Sequence, residues 1–350
     1  MSSTFLQHLL LVQGSLLAVT IGLFLGHGLW LAWYKRRCQA VWARAQAIAI
    51  AALAGATLPP TERQWLRTVP VRLQIRLFAH LAHNLSGTNK QELTGLARTL
   101  GLLTRAETLC RSTWWWRRLQ GARLLTLLGG GEHIVPALFW DREALVRAQA
   151  AEWAMEHPTP AVIQALLTML GDVNGLCRFT AQDTLLHLGQ VVTEPLTRVL
   201  SHAAGLQVET ALVVAVGLAE PRFFKPALRL SHSATPGVRA LAVTLLGALG
   251  GREGVQVLTS LLYDDASEVR VAAAHALGKL HHWPAAATLA GLLRDRAWNV
   301  RREAGLALRA LGSPGLLFLR RSLQDTDAFA ADMARQVLDL PDTASLAEAI

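Results

Sequence analysis

The 350-residue chain carries 12 His, three Cys and 25 Asp or Glu, the raw material of a metal or nucleophile site. Cys38, Cys110 and Cys177 are odd in number and far apart, which rules out a disulfide framework and fits a reducing compartment. The sequence contains no Cys-x-x-Cys, His-Glu-x-x-His, Gly-x-Ser-x-Gly or Gly-rich phosphate loop, so none of the common signatures of metal, acyl-transfer or nucleotide chemistry is present. What does recur is an Asp followed six residues later by an Arg: Asp141 and Arg147, Asp172 and Arg178, Asp264 and Arg270, Asp295 and Arg301. Arg239 stands in the same pattern without the acid. A reaction needs its acid and base once, whereas the same pair in unit after unit is a packing device. The expected chemistry is therefore ion pairing. The Asp would cap the helix that follows it, and the Arg would reach the Asp of its own or of the next unit, forming a ladder. No catalytic residue, metal or cofactor is expected.

The elements that position these charges repeat as well. Taking the Arg as anchor, copies fall at 118, 147, 178, 208, 239, 270 and 301, a period of about 31 residues, with Val208 in place of the Arg. A small residue lies three positions after each anchor, and a Leu ten positions after every anchor but Arg147. A weaker last copy runs Ala330, Met333, Leu340. Each unit reads as a helix, a turn at the Asp and a second helix. Helix pairs that cannot bury their apolar faces alone stack into a solenoid with one continuous core. Leu and Ala dominate while Tyr, with two copies, is rare, which favours an all-helical fold over a sheet.

This pattern of Asp, Val-Arg, small residue and Leu-Gly resembles the HEAT repeats of the short bacterial kind, the group that includes phycobilisome lyases. The resemblance covers residues 118–340 and implies an α-solenoid of about seven hairpins. Its enzymatic members are an alternative that the residues can test. A hydroxylase of this class binds iron through His-Glu dipeptides, yet the 12 His here include no His-Glu pair: Glu132-His133 and Glu156-His157 are reversed, and His281-His282 has no acid at helical spacing. A bilin lyase-like subunit remains an alternative, although no residue marks a tetrapyrrole site. A DNA glycosylase-like reading needs a basic groove, and residues 125–350 carry a net charge of −3.

The basic excess belongs to the other end. Residues 1–124 hold 15 Lys or Arg against Glu62, Glu92 and Glu107. Residues 14–34 carry no formal charge and only one His, His27. About 20 such residues cross a ~30 Å hydrocarbon core. Trp30, Trp33 and Tyr34 then form an interfacial aromatic cluster, and Lys35, Arg36, Arg37 and Arg44 follow. By the positive-inside rule the N-terminus faces out and the remainder faces the cytoplasm. A cleaved signal peptide would carry its charge before the apolar run instead. Gly22 and Gly26 make a GxxxG spacing through which two such anchors could pair as a homodimer.

Between anchor and repeats lies a basic helical neck, residues 38–117. Helices are expected over 39–53, from an N-cap at Thr61, over 71–85 and from Thr88 to about Leu100, with Gly101 as a stop. Its arginines would attract anionic headgroups or lie along apolar surface as a solvated face. Trp114, Trp115, Trp116 and Arg117 are candidate partner-binding residues, because three consecutive Trp cannot share one helix face and at least one must be exposed.

The expected organisation is a transmembrane anchor (1–37), the neck (38–117), an all-α solenoid (118–340) and a tail (341–350). The expected function is a non-enzymatic scaffold at the inner membrane. It would bind the lipid bilayer and a protein partner, for which a membrane-bound synthase or glycosyltransferase would be a suitable client that no residue specifies. Nucleic-acid binding through the neck is a further alternative, and no nucleic-acid partner is expected of the array.

Overall fold

A computed structural model describes residues 3–53, 59–83, 88–202 and 205–341, without the side chains of 3–19, 31, 32, 34, 71, 72, 83 and 88–90. Every element among them is helical. The chain divides into two compact units, Met1–Ile134 and Val135–Ile350. Gly129, Gly130 and Gly131 lie just before the division, all with φ near +80°, at 78°, 86° and 86°. Three successive left-handed residues are what Gly alone adopts at little cost.

The first unit contains α1 (Ser3–Leu53), α2 (Pro60–Thr68), α3 (Val71–His83), α4 (Thr88–Thr99), α5 (Leu102–Cys110) and α6 (Trp115–Leu128). The anchor segment and the first neck helix are thus one unbroken helix. Ala45, Ile48 and Ala49, at helical spacing near its end, are buried, where α1 meets α3 and α4. Leu66, Leu77, Phe78, Leu93, Ala106 and Leu125 fill the rest of this core. Helix α6, which carries Arg118, belongs to this unit and packs on α5. Gly121 makes that approach feasible: a Cβ there would lie 2.5 Å from Ala106 O and 2.8 Å from Cys110 N. The Cys110 thiol beneath it is pushed up to about 12 by burial, aided by Glu107, which leaves it unreactive.

One expectation is corrected here and one is not shown. Helix α2 starts at Pro60 with Pro59 as its N-cap, so Thr61 lies inside the first turn; Pro at N1 has the preset φ and needs no N–H partner. Among the described residues no helix is long and apolar enough to cross a membrane. The side chains of 14–19, 31, 32 and 34 are outside those described. The continuous described stretch, residues 20–30, rises only about 17 Å, short of a ~30 Å hydrocarbon core. A span is therefore not shown.

The second unit is seven helical pairs: α7 (Val135–Leu138) with α8 (Ala144–Trp153), α9 (Pro160–Met169) with α10 (Gly175–Leu188), α11 (Thr193–His202) with α12 (Leu206–Leu218), α13 (Phe224–Leu230) with α14 (Pro236–Leu249), α15 (Arg252–Ser260) with α16 (Ser267–Lys279), α17 (Ala286–Leu292) with α18 (Trp298–Ala310), and α19 (Ser313–Ser322) with α20 (Ala328–Leu338). Each second helix packs on the second helices before and after it, the nearest-neighbour contact of a solenoid. The small residues three after the anchors, Ala150, Ala181, Ala211, Ala242, Ala273 and Ala304, are wholly buried. A tighter approach comes five residues later: a Cβ on Gly247 would sit 2.5 Å from Ala276 Cβ, and one on Gly278 would sit 2.8 Å from Ala307 Cα.

The last copy is real but shifted by one residue. Asp325 folds its loop as the other Asp residues do, and Ala330, Ala334 and Val337 are buried in the places of Val300, Ala304 and Ala307. The anchor slot is thus Ala331, not Ala330.

Candidate protein-interaction surface

The repeated charges form a ladder between neighbouring pairs. Arg147 donates through Nε (2.7 Å) and Nη2 (2.8 Å) to both oxygens of Asp172, 25 residues on. Arg239 does the same to Asp264 at 3.0 and 2.7 Å, and Arg270 to Asp295 at 2.8 and 2.9 Å. The remaining nitrogen, Nη1, turns back to two carbonyls of its own loop, Asp141 O and Arg142 O for Arg147. Arg178, Arg239, Arg270 and Arg301 repeat that contact, and so does Arg118 in the first unit. Arg147, Arg239 and Arg270 thus each tie their own loop to the next pair. Burial alone would raise the carboxyls of Asp172, Asp264 and Asp295. The bidentate arginine and a loop N–H outweigh it and hold all three below the usual carboxylate range.

The Asp does not cap the second helix as the sequence suggested. Asp141, Asp172, Asp264, Asp295 and Asp325 accept from the N–H two residues on, which belongs to the N-cap residue itself, one step before the helix. The side chain therefore shapes the turn. The ladder is also incomplete. The residue 25 positions after Arg178 is Ala203, outside the described residues. Arg301 has no carboxylate: its buried Nε lacks a hydrogen-bond partner, and its guanidinium lies 5.0 Å over the Phe329 ring. Asp325, the acid of the next loop, instead accepts Arg294 Nη2 at 2.7 Å. Sequence reading missed this pair because it set the last copy one residue early. It also missed His275 Nδ1 against Glu303 Oε1 at 2.8 Å, a contact between α16 and α18.

The exposed stripe of the second helices lies two before, one after and five after the anchor. In α8, α10 and α12 it exposes Leu145, Leu176, Phe179, Leu206 and Val213, Phe179 to 67%, interrupted by exposed Glu152 and Asp183. Toward α16, α18 and α20 it is more polar, with Glu268, His275, Arg302 and Asp332 exposed beside exposed Phe329. The same face thus changes character along the stack.

The candidate residues of the first unit are accessible. Trp114, Trp115 and Trp116 are 54%, 38% and 46% exposed, so none enters the core. They pack on one another, Trp114 and Trp116 at 4.6 Å between ring centroids, beside exposed Arg117. Trp116 stands two before Arg118, the slot that Leu145, Leu176 and Leu206 hold in their copies. Trp30, Trp33, Lys35, Arg36, Arg37 and Arg44 are exposed, and the Tyr34 side chain lies outside those described. Among the described residues no three His, Cys, Asp or Glu side chains converge as metal ligands would.

Residues 225–309 and 268–339 match the family model for HEAT repeats. This part of the chain, residues 225–339, is similar to HEAT repeats. The earlier pairs share its anchors and ladder, so the second unit is a HEAT-like α-solenoid. No curated protein matches the chain. Among solved structures, importin beta in an ammonium sulfate condition is similar at 12% identity and a TM-score of 0.55, over 77% of this chain and 44% of that one. Kap95p, described as binding RanGDP, is similar at 11% identity and 0.52, over 86% of this chain and 52% of that one. The chain spans about half the length of these two. The CpcE–CpcF phycocyanin lyase of Nostoc sp. PCC7120 aligns at 21% identity and 0.36, over 59% of this chain and 92% of that one. At such identities the likeness is one of fold.

Proposed function

We propose that the chain is a membrane-tethered scaffold that receives a protein partner along the second helices of its HEAT-like unit. The carrying observation is the row of exposed Leu145, Leu176, Phe179, Leu206 and Val213 on α8, α10 and α12. Exposed apolar side chains grouped on one face mark contact surfaces, and interface cores are rich in large apolar side chains. Regular helical arrays present such extended surfaces by construction. Kap95p, alike in fold, is described as binding a protein, and a protein client is the corresponding expectation here. The work is adsorption: the scaffold raises the local concentration of what it holds.

The tether rests on α1. Ile21, Leu23, Phe24, Leu25, Leu29, Trp30 and Trp33 are all exposed. At 100° per residue they point to every side of the helix. A helix apolar all round needs an apolar surrounding on every side, and no other part of the chain supplies it among the described residues. Lys35, Arg36 and Arg37 at its end favour an orientation with the repeats in the cytoplasm. Gly22 and Gly26 meet no described atom within 4 Å of a would-be Cβ, leaving room for a second copy of the helix.

Site-specific photo-crosslinking in cells tests the docking surface. A photoreactive residue at Phe179 should yield a discrete adduct, while one at exposed Leu317 on α19 should not. Phe179→Asp with Leu206→Asp should abolish co-purification of the crosslinked protein. Equal adducts from both positions, or retention of the partner by the double variant, would remove the apolar stripe as the docking surface.

A further inference from the structure

Where α1 leaves its apolar stretch, other helices of the first unit fold back against it and leave two clefts. The larger, of about 730 Å³, is lined by Trp33, Arg37, Val41, Trp65, Leu73 and Arg105. The smaller, of about 340 Å³, is lined by Lys35, Gln39, Trp42, Leu73 and Arg76. Cys38 and Leu73 form part of the wall of each. Volumes of a few hundred Å³ suit part of a small amphiphile. Indole and aliphatic side chains make up most of the larger cleft's lining, and each cleft holds two cations, Arg37 and Arg105 in the larger and Lys35 and Arg76 in the smaller. No carboxylate lines either cleft, although Glu62 and Glu107 belong to helices of this unit. Lys35, Arg37, Arg76 and Arg105 form no ion pair among the described residues.

The arginines are instead placed by indoles. Arg37 lies 5.3 Å over Trp33, Arg76 lies 5.5 Å over Trp42, and Arg44, next to the larger cleft, lies 4.3 Å over Trp65. Stacking on a ring face positions a guanidinium without consuming its in-plane N–H donors. Those donors match the paired oxygens of a phosphate. Trp33 belongs both to the cleft wall and to the exposed apolar surface of α1. A ligand with its phosphate at Arg37 and Arg105 can therefore run its tail onto that surface without crossing a polar barrier.

We infer that the larger cleft binds the headgroup phosphate of an anionic phospholipid, with the first part of an acyl chain against Trp33, Trp65 and Val41. This rests on the membrane-tethered reading and adds to it a specific lipid. It makes Arg37 and Arg105 headgroup ligands rather than generic basic residues near a leaflet.

The test uses the full chain in vesicles of phosphatidylcholine containing a minor fraction of phosphatidylglycerol. Flotation is measured first. The chain is then extracted in mild detergent, and retained lipid is identified by mass spectrometry. Phosphatidylglycerol should be enriched about thirtyfold relative to phosphatidylcholine, the scale of two basic residues near an anionic headgroup. Arg37→Gln with Arg105→Gln should abolish the enrichment. Arg98→Gln with Arg111→Gln removes the same charge elsewhere and should preserve it. A measurement on the unaltered chain guards against misfolded variants: phosphatidylglycerol with brominated chains should quench tryptophan fluorescence more than brominated phosphatidylcholine at the same fraction. Failure to float would overturn the tether and the cleft together. Flotation without enrichment, equal loss in both double variants, or equal quenching by the two brominated lipids would overturn the cleft alone. Full displacement of the lipid by inorganic phosphate would show a phosphate site with no lipid preference and would also overturn it.

Discussion

Arg239 and Asp264 show what the ladder does for stability. Both side chains are about nine-tenths buried or close to it, at 16% and 9% exposure, so the pair cannot be judged as a surface salt bridge. Asp264→Asn keeps an oxygen for the Ala266 N–H but sets an NH₂ against an arginine donor. Leaving one charge buried without its partner costs about 3 kcal/mol, and the thermal midpoint of the full chain in detergent should fall accordingly. An unchanged midpoint would mean the pair is neutral. The pH dependence follows from the direction of the shifts. Asp172, Asp264 and Asp295 are held below the usual range, so their contribution is complete above the unfolded value of about 3.9. It is lost as pH falls through the folded value. Denaturant midpoints should therefore be flat with respect to these groups above about pH 5 and drop in more acid solution, less steeply for Asp264→Asn. The six-residue spacing was visible in the sequence, but the choice of partner was not. The Asp backbone carbonyl accepts its own Arg while its carboxylate takes the preceding one, a division of labour that emerges only once neighbouring pairs are stacked.

Between elements, the closest contacts of the stack were harder to read than its period. The Ala row three after each anchor stands out because it repeats in six copies. The glycines that set the tighter approach, Gly247 and Gly278, look like ordinary helix interruptions until α16 and α18 are placed beside α14. Gly278→Ala puts a methyl 2.8 Å from Ala307 Cα and 2.9 Å from its Cβ, with backbone behind it that cannot yield. Overpacking of that kind costs about 1–3 kcal/mol, more than the ~1 kcal/mol that Ala gains over Gly in a helix. Gly217→Ala meets only Leu186 Cδ2 at 2.5 Å, the free end of an exposed side chain that can change rotamer. The first substitution should lower the thermal midpoint, and the second should leave it unchanged or raise it. If both behave alike, the Gly278 contact does not control the spacing of α16 and α18. The loop acid was misread for a related reason: the spacing of Asp to helix allows either a cap or a turn, and only the backbone path, with Glu143, Asn174 or Ala266 at the N-cap, decides for the turn.

For the whole molecule, the composition split foreshadowed two bodies of different character, one basic and one mildly acidic. The boundary was less legible. The repeat pattern begins at Arg118, but the helix carrying it packs into the first unit through Gly121, so periodicity and compactness mark different borders. Function divides in the same way: a first unit with exposed indoles, arginines stacked on indoles and an apolar helix, and a second with a row of exposed apolar side chains. If α1 is the tether, removing residues 1–37 should move the chain from the membrane pellet to the supernatant after alkaline washing, while the circular dichroism of the remaining helices persists. The full chain should resist that washing. A reporter fused before Met1 should be active only on the outer side of the membrane and one fused after Ile350 only on the inner side, because Lys35, Arg36 and Arg37 hold their end in the cytoplasm. Replacing those three with Gln and adding three Lys before the apolar stretch should reverse both reporters. Release of the full chain by alkali would remove the tether, whereas retention with both reporters on one side would replace a span by a helix lying in the surface, its repeats free to meet a partner in the same compartment.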